Sequence, residues 1–180
     1  MNSSSLALIE HLKSHALRTD GPFRLASGAV SDWYLDGRQT TFDGPGARLV
    51  ADAVNAVLDE SVTAVGGMTM GADPIAVATV VRATRRLRAF SVRKAAKDHG
   101  VGGRVVGPLQ STDLAAVVED TTTTGGSMAE AIEVLREEGF TVVQAITVVD
   151  RSGGAAAIRI AELGLPLVSL VTPADLGVGS

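Results

Sequence analysis

The chain has 180 residues and a net charge of −4, with 46% hydrophobic and 20% charged residues. This length and balance predict one globular domain, and the acidic charge argues against general nucleic-acid binding. The absence of cysteine excludes disulfides, thiol catalysis and cysteine-based zinc sites. No apolar run reaches signal-peptide length or the roughly 18 residues of a membrane span, so we expect a soluble cytoplasmic protein with no membrane partner.

The first third of the chain predicts two helices separated by a hairpin. Three serines at positions 3–5 are suited to cap a helix over residues 6–17. A hairpin-like region follows over 22–38, and a second helix is expected over 45–58.

Two residue pairs in this part carry open alternatives. His11 and His15 lie one helical turn apart, a spacing that could hold a metal, but no partner motif lies nearby. We therefore interpret them as surface histidines. The pair Trp33-Tyr34 is interpreted as core or interface packing rather than as a platform for stacking a base.

Short β-branched runs alternate with helical patterns over the remaining chain. This alternation predicts an α/β fold, in which a Rossmann-like parallel sheet is flanked by helices and ligands bind beyond the carboxyl ends of the strands. Strands are expected at 62–65, 89–92, 114–118, 142–149 and 167–171, and helices from Asp73, from Met128 and over 155–163.

A glycine-rich turn and a basic loop follow two of these strands. In the turn over 66–74, Asp73 is expected to be the N-cap and Pro74 the first helical residue, and a plain tight turn is the alternative. The residues from Ala95 to Gln110 contain four glycines and a proline and are expected to form a structureless, mobile loop. The basic residues at its start indicate a loop that closes over an anion, with a solvated surface as the alternative; they are Arg93, Lys94, Lys97 and His99.

The strand over 114–118 is followed by two carboxylates, Glu119 and Asp120, and then by the turn Thr121–Ser127. Backbone N–H groups of such a turn, the N-terminal end of the next helix and the hydroxyls can hold a phosphate. The carboxylates cannot bind that phosphate and are placed to accept hydrogen bonds from sugar hydroxyls. The segment therefore predicts a sugar-phosphate site, and carboxylates that merely cap the turn are the alternative.

Together these segments resemble the type I phosphoribosyltransferase family, and within it the orotate phosphoribosyltransferases. The sequence VVEDTTTTGGS matches the family's strand, acid pair and turn. The narrower resemblance is carried by PFRLASGAVSDWYLDGR, VRKAAKDHG and VVDRSGGA. It implies transfer of the phosphoribosyl group of 5-phosphoribosyl 1-diphosphate to orotate in pyrimidine synthesis. It also implies a homodimer with shared active sites and a hood formed mainly by residues 1–40 with the C-terminal segment.

The resemblance also implies residue roles. Glu119 and Asp120 would hold the ribose hydroxyls, and Lys97, His99 and Asp120 would be catalytic. Magnesium would ride on the diphosphate, with no direct protein ligand and with water between it and the acid pair. The diphosphate would be bound by Arg93, Lys94, Lys97 and His99, the 5′-phosphate by Thr121, Thr122, Thr123, Thr124, Gly125, Gly126 and Ser127, and orotate by Thr123 and Arg151.

Two positions depart from the family pattern. Ala26 stands where many members have a lysine that touches orotate, and Thr69-Met70 stands where many have tyrosine and lysine. Each charge-assisted contact is worth about 1.5–3 kcal/mol, so these changes favour a second hypothesis, a phosphoribosyltransferase for another base. A regulator that binds 5-phosphoribosyl 1-diphosphate without turnover and a Rossmann-like binding protein are the remaining alternatives.

Overall fold

The computed structural model describes residues 3–24, 28, 30–95 and 103–179. The longest helix has 14 residues, and in this part of the chain no helix is long and apolar enough to cross a bilayer. The helices are α1 (Ser3–His15), α2 (Arg38–Thr41), α3 (Gly44–Val57), α4 (Ala72–Arg82), α5 (Gly126–Glu137), α6 (Ala155–Glu162) and α7 (Pro173–Leu176). The strands are β1 (Leu17–Arg18), β2 (Phe23–Arg24), β3 (Val30–Ser31), β4 (Tyr34–Leu35), β5 (Ala64–Met68), β6 (Arg88–Val92), β7 (Val105–Val106), β8 (Leu114–Thr122), β9 (Thr141–Asp150) and β10 (Leu167–Val171).

Six strands form the central sheet in the order β10-β9-β8-β5-β6-β7. Neighbouring strands are parallel, except that β7 runs antiparallel to β6. Two antiparallel pairs lie outside this sheet, β1 with β4 and β2 with β3. The expected α/β fold with a parallel sheet flanked by helices is confirmed, and the hairpin-like region contains the β2–β3 pair.

Helices cover both faces of the sheet. Since successive side chains of a strand point to opposite faces, each strand contributes side chains to both core clusters. In β8, Val118 packs into a core cluster with residues of α1, α3 and α4, whereas Val117 packs into a second cluster with α5 and α6. Every residue of β5 is buried, as a central strand covered on both faces requires. Because β5 pairs in parallel with both β6 and β8, the carboxyl ends of these three strands lie at the same edge of the sheet.

Two predicted helix starts are wrong in detail. Helix α1 begins at Ser3, so the serines lie inside its first turn rather than before it. Helix α4 has Gly71 as its N-cap, and Asp73 and Pro74 lie within its first turn. Asp73 Oδ2 accepts a hydrogen bond from Thr69 Oγ1 at 2.7 Å. A carboxylate within the first turn is favourable because the helix dipole is positive there.

The stretch from Ala95 to Gln110 is not structureless throughout. Val105 and Val106 form β7 and pair with Val92 and Ser91 of β6. β-Branched residues favour this extended conformation, and the edge of β6 offers free backbone groups to pair with. The remainder of the predicted mobile loop between 96 and 102 lies outside the described residues.

The interpretation of both histidines as surface residues is wrong for His11. Its side chain is only 9% exposed, since Nε2 lies 3.1 Å from Asp43 Oδ2 and Nδ1 lies 3.3 Å from Thr40 Oγ1. His15 is exposed and its ring stacks on that of His11, with 4.1 Å between centroids. Among the described residues, no group of three or more ligand-type side chains could hold a metal ion. His11 therefore ties α1 to α2 and to the N-cap of α3.

Candidate active site

A cavity of about 560 Å³ opens at the carboxyl ends of β5, β6 and β8. Its volume lies within the usual range for small-molecule sites, about 300–1,000 Å³. The lining combines carboxylates, cations and hydroxyls with few apolar side chains, so it suits a polar, charged ligand. The lining residues are Tyr34, Leu35, Asp36, Gly37, Arg38, Met68, Thr69, Met70, Gly71, Lys94, Glu119, Asp120, Thr121 and Ser127.

The acid pair lies inside β8 rather than after it. Pairing with β9 continues as far as Thr122, so the expected end of the strand at Val118 is wrong. Because neighbouring residues of a strand alternate in direction, Glu119 and Asp120 approach the cavity from opposite faces of the sheet. Glu119 lies beside the hydroxyls of Thr122 and Ser127, and Asp120 lies against the glycines of two loops.

Glu119 is the more perturbed of the two acids. Burial raises the pKa of its carboxyl to about 7, and the negative charge of Asp120 acts in the same direction. Hydrogen bonding to Thr122 and Ser127 opposes this shift only partly. At neutral pH the Glu119 carboxyl therefore exists as a mixture of its neutral and charged forms.

Asp120 is held by a denser set of contacts. Burial raises its pKa, and the nearby Asp36 charge adds to this effect. The Thr121 amide, which donates to Asp120 Oδ1 at 2.9 Å, and the Arg38 charge both favour the ionised carboxylate. The orientation of this carboxylate is thus fixed by the protein before any ligand arrives.

Gly71 sets the distance between the turn after β5 and the acid pair. A Cβ at this position would lie 2.7 Å from Asp120 Oδ1, closer than carbon and oxygen can approach without displacement. Glycine thus allows the turn, which contains a cis peptide bond between Thr69 and Met70, to pack directly on the carboxylate. Met70 itself is exposed and lines the cavity.

The turn between β8 and α5 is folded by its own threonines. Thr122 Oγ1 accepts a hydrogen bond from the Gly125 amide at 3.0 Å. Gly125 has a φ of +73° and packs against Ala156, a conformation that favours glycine. Helix α5 begins at Gly126, whose amide donates to Thr124 Oγ1 at 3.4 Å. The N-cap Gly125 supplies no side-chain cap, so the following amides of the first turn are available to an anion. Thr123, Thr124 and Ser127 are exposed around this helix end.

Two buried oxygen atoms at the acid pair have no hydrogen-bond partner among the described residues. They are Glu119 Oε2 and Thr121 Oγ1, and both residues line the cavity. A buried polar atom without a partner is costly and uncommon. Both oxygens can accept hydrogen bonds from the hydroxyl groups of a ligand.

Arg151 approaches the same region from the end of β9. Its amide donates to Thr122 O at 2.8 Å, and its guanidinium stacks on the Trp33 ring at 3.9 Å from the centroid. Burial lowers the pKa of the guanidinium, which remains charged at neutral pH. Trp33 is fixed in turn by a 2.9 Å hydrogen bond from Nε1 to Gly179 O. The interpretation of Trp33 as a packing residue is consistent with this arrangement.

The structure describes only the first part of the predicted basic loop. Lys94 is exposed and lines the cavity. The Arg93 amide donates a hydrogen bond to the Arg104 carbonyl oxygen at 2.8 Å. In return, Arg104 Nε donates to the Arg93 carbonyl oxygen at 2.7 Å. Lys97 and His99, like Ala26 of the N-terminal motif, lie outside the described residues.

The segment from Tyr34 to Arg38 supplies five cavity residues that were not among the predicted site residues. Arg38 Nε donates to Asp36 Oδ1 at 2.8 Å, and Tyr34 also packs near Phe23. The motif YLDGR was available as a signal because it belongs to the resemblance. It carried no recognisable chemistry until the fold brought it next to the acid pair.

Comparison with known proteins identifies relatives that match nearly the whole chain. No protein-family model matches the chain. It is 44% identical over 176 residues to the orotate phosphoribosyltransferase of Streptomyces avermitilis, covering 96% of each chain. The crystal structure of the Mycobacterium tuberculosis H37Rv orotate phosphoribosyltransferase with inorganic phosphate superposes with a TM-score of 0.87 at 33% identity, covering 98% of this chain and 100% of that one. The complex of that enzyme with 5-phospho-α-D-ribosyl 1-diphosphate gives a TM-score of 0.81 at 32% identity, with coverages of 97% and 99%.

Proposed function

The chain belongs to the orotate phosphoribosyltransferase family, and from this we propose that it makes orotidine 5′-phosphate. In this reaction the 5-phosphoribosyl group of 5-phosphoribosyl 1-diphosphate is transferred to N1 of orotate, and diphosphate leaves. The relatives that carry this name match the chain over nearly its full length.

The observation that carries the proposal is the acid pair, in which Glu119 Oε2 lacks a partner among the described residues, next to a glycine- and threonine-rich turn of the kind that binds phosphate. Glu119 Oε2 and the Asp120 carboxylate face the cavity where the two ribose hydroxyls would lie. The turn from Thr121 to Ser127 and the first amides of α5 would hold the 5′-phosphate. This arrangement supports binding of a phosphorylated sugar across the carboxyl edge of the sheet.

The chemistry requires electrostatic stabilisation more than covalent help. As the bond from C1′ to the diphosphate breaks, positive charge develops on the ribose and negative charge on the leaving group. The acid pair stabilises the ribose side, and the cations at the cavity stabilise the departing oxygens. A preorganised carboxylate such as Asp120 needs little rearrangement when the charge develops, which is why we assign it a catalytic role.

The donor set at the cavity fits magnesium bound mainly through the substrate. Glu119 and Asp120 are the carboxylates that would reach the ion through water, because Mg²⁺ in phosphate sites usually keeps several waters. When bound, the ion would neutralise charge on the diphosphate.

We assign the basic loop to the leaving group. Lys94 already lines the cavity, and Arg93, Lys97 and His99 follow from the same strand end. Positive side chains that close over the diphosphate would stabilise its charge and keep water from C1′.

Orotate is assigned to the space near Arg151. The guanidinium, stacked on Trp33, makes no side-chain hydrogen bond to the described residues, so its donors are available for the carboxylate of the base. Thr123 lies in the turn next to the Thr122–Arg151 backbone contact and is exposed. The hydrogen bond from Trp33 to Gly179 supports a hood made by the N-terminal and C-terminal segments together.

A homodimer is part of the same proposal. Val77 and Val81 lie one turn apart on α4 and are both exposed, and Val106 lies across a shallow apolar hollow from Val77. A second copy of the chain would cover these exposed side chains. Sedimentation velocity should give the mass of a dimer, and a monomer at micromolar concentration would contradict it.

A panel of bases tests the proposed activity. The purified chain is given 5-phosphoribosyl 1-diphosphate and Mg²⁺ with orotate, uracil, or a purine, and diphosphate release is measured. Release with orotate alone is expected. Turnover of uracil or a purine without turnover of orotate would favour a phosphoribosyltransferase for another base. That hypothesis is motivated by Met70, which lines the cavity where many family members have lysine. Binding of the donor without release with any base would indicate a regulator.

A further inference from the structure

Arg38 is held beside the acid pair by one side of its guanidinium. It is the first residue of α2 and lines the cavity with Lys94. Its Nε donates to Asp36 Oδ1 at 2.8 Å, and its amide donates to the same oxygen at 3.2 Å. Gln39 Nε2 donates to the other oxygen of Asp36 at 3.3 Å. The Arg38 side chain is 50% exposed, whereas that of Asp36 is only 22% exposed.

These contacts leave the outer side of the guanidinium available. The Nη1 and Nη2 atoms of Arg38 have no hydrogen-bond partner among the described residues. A guanidinium anchored through Nε presents its terminal nitrogens as a planar pair of donors, which matches two oxygens of a phosphate or carboxylate. The anchor also removes part of the side-chain entropy that binding would otherwise cost.

The charges around the cavity call for such a donor. The described lining contains three carboxylates, Asp36, Glu119 and Asp120, and two cations, Arg38 and Lys94. Because the carboxylates repel a ligand with several negative charges, such a ligand can bind in this cavity only where cations contact it directly. Lys94 is one such cation, and Arg38 lines the same cavity.

We propose that Arg38 binds the diphosphate of the phosphoribosyl donor through its two terminal nitrogens. The inference rests on the proposed function and adds a residue to it. The diphosphate is favoured over the orotate carboxylate because Arg38 shares the cavity with Lys94 and lies within electrostatic reach of Asp120. Arg151, the cation assigned to orotate, stacks on Trp33 and is not part of that lining.

Titration calorimetry with inorganic pyrophosphate and Mg²⁺ tests this assignment on the full chain. Arg38→Met should weaken pyrophosphate binding by about 10-fold or more, the equivalent of one charge-assisted contact. Arg38→Lys keeps the charge but not the paired donors, and an intermediate loss is expected. Arg82→Met is the matched control, because Arg82 is 48% exposed and binds Asp52 through Nε at 2.9 Å, away from the cavity. It should bind pyrophosphate as the unmodified chain does.

Steady-state kinetics separates the two substrates. For Arg38→Met, KM for 5-phosphoribosyl 1-diphosphate should rise by the same factor as the dissociation constant, with KM for orotate changed less than about twofold. Unchanged pyrophosphate binding, or an equal loss in Arg82→Met, would overturn the inference. A rise confined to the KM for orotate would show that Arg38 binds the base instead. If Arg38→Met does not fold, Arg38→Lys decides in the same way. Pyrophosphate binding that depends on Arg38, without orotate turnover in the unmodified chain, would contradict the proposed function alone.

Discussion

Replacing Glu119 by glutamine should change how the stability of the protein depends on pH. The folded-state pKa of Glu119 is about 7, raised from 4.5 by burial and by the Asp120 charge. Between these two values the folded state holds a proton that the unfolded state has lost. The free energy of unfolding must therefore fall as the pH rises through this window. Glutamine has nearly the same shape but does not titrate, so this loss should disappear in the variant.

The size of the effect follows from the shift. At about 1.4 kcal/mol for each pKa unit, the full penalty is about 3 kcal/mol above pH 7, and most of it develops between about pH 5 and pH 8. For a chain of this length it corresponds to a difference of about 6–12 °C in Tm.

Urea unfolding of both proteins across this pH range measures the effect. The advantage of Glu119→Gln over the unmodified chain should be small near pH 5, grow steadily towards pH 7 and level off by about pH 8. Taking the difference between the two proteins removes the contribution of the other titrating groups. An advantage that stays constant within about 0.5 kcal/mol would show that Glu119 titrates normally and that its carboxyl is hydrated in the free protein.

Three further substitutions test separate parts of the site. Gly71→Ala would place a methyl group 2.7 Å from Asp120 Oδ1. The substitution should lower the free energy of unfolding in urea by about 1–3 kcal/mol and should also lower kcat. Full stability and activity would show that the turn moves freely. Arg151→Met should raise KM for orotate by about 10-fold or more through one lost charge-assisted contact, with KM for the donor unchanged in the same assay. Lys97→Ala should lower kcat without lowering Tm, and equal losses of Tm and activity, with a normal kcat for the folded fraction, would contradict the assignment of Lys97 to the leaving group.

Local sequence patterns predicted the central sheet well. The strand from Leu167 to Val171 has the predicted bounds because prolines flank an apolar run. The end of β8 was misplaced, since the polar residues from Glu119 to Thr122 stay in the sheet by pairing with β9. Hydrogen bonding to a strand that is distant in sequence can keep a polar segment extended, and this pairing cannot be read from the composition of the segment itself.

The site was predictable only where one segment carries its own chemistry. The acid pair and its turn are contiguous, so one segment of sequence predicted both as site residues, and the fold brings Glu119, Asp120, Thr121 and Ser127 to one cavity. Asp36 and Arg38 come within electrostatic reach of Asp120, which lies on a different strand, only in the folded chain. His11 is likewise buried by Thr40 of α2 and by Asp43, the N-cap of α3. Such roles depend on tertiary contacts, and the spacing of residues along the chain does not contain them.

The central claim is that Glu119 and Asp120 hold the ribose hydroxyls of the phosphoribosyl donor. A crystal structure of the chain with 5-phosphoribosyl 1-diphosphate tests it most directly. We predict that Glu119 Oε2, which lacks a partner among the described residues, lies within hydrogen-bond distance of a ribose hydroxyl, with the 5′-phosphate on the turn from Thr121 to Ser127. A donor bound elsewhere, or in this cavity with its ribose turned away from both carboxylates, would contradict the account.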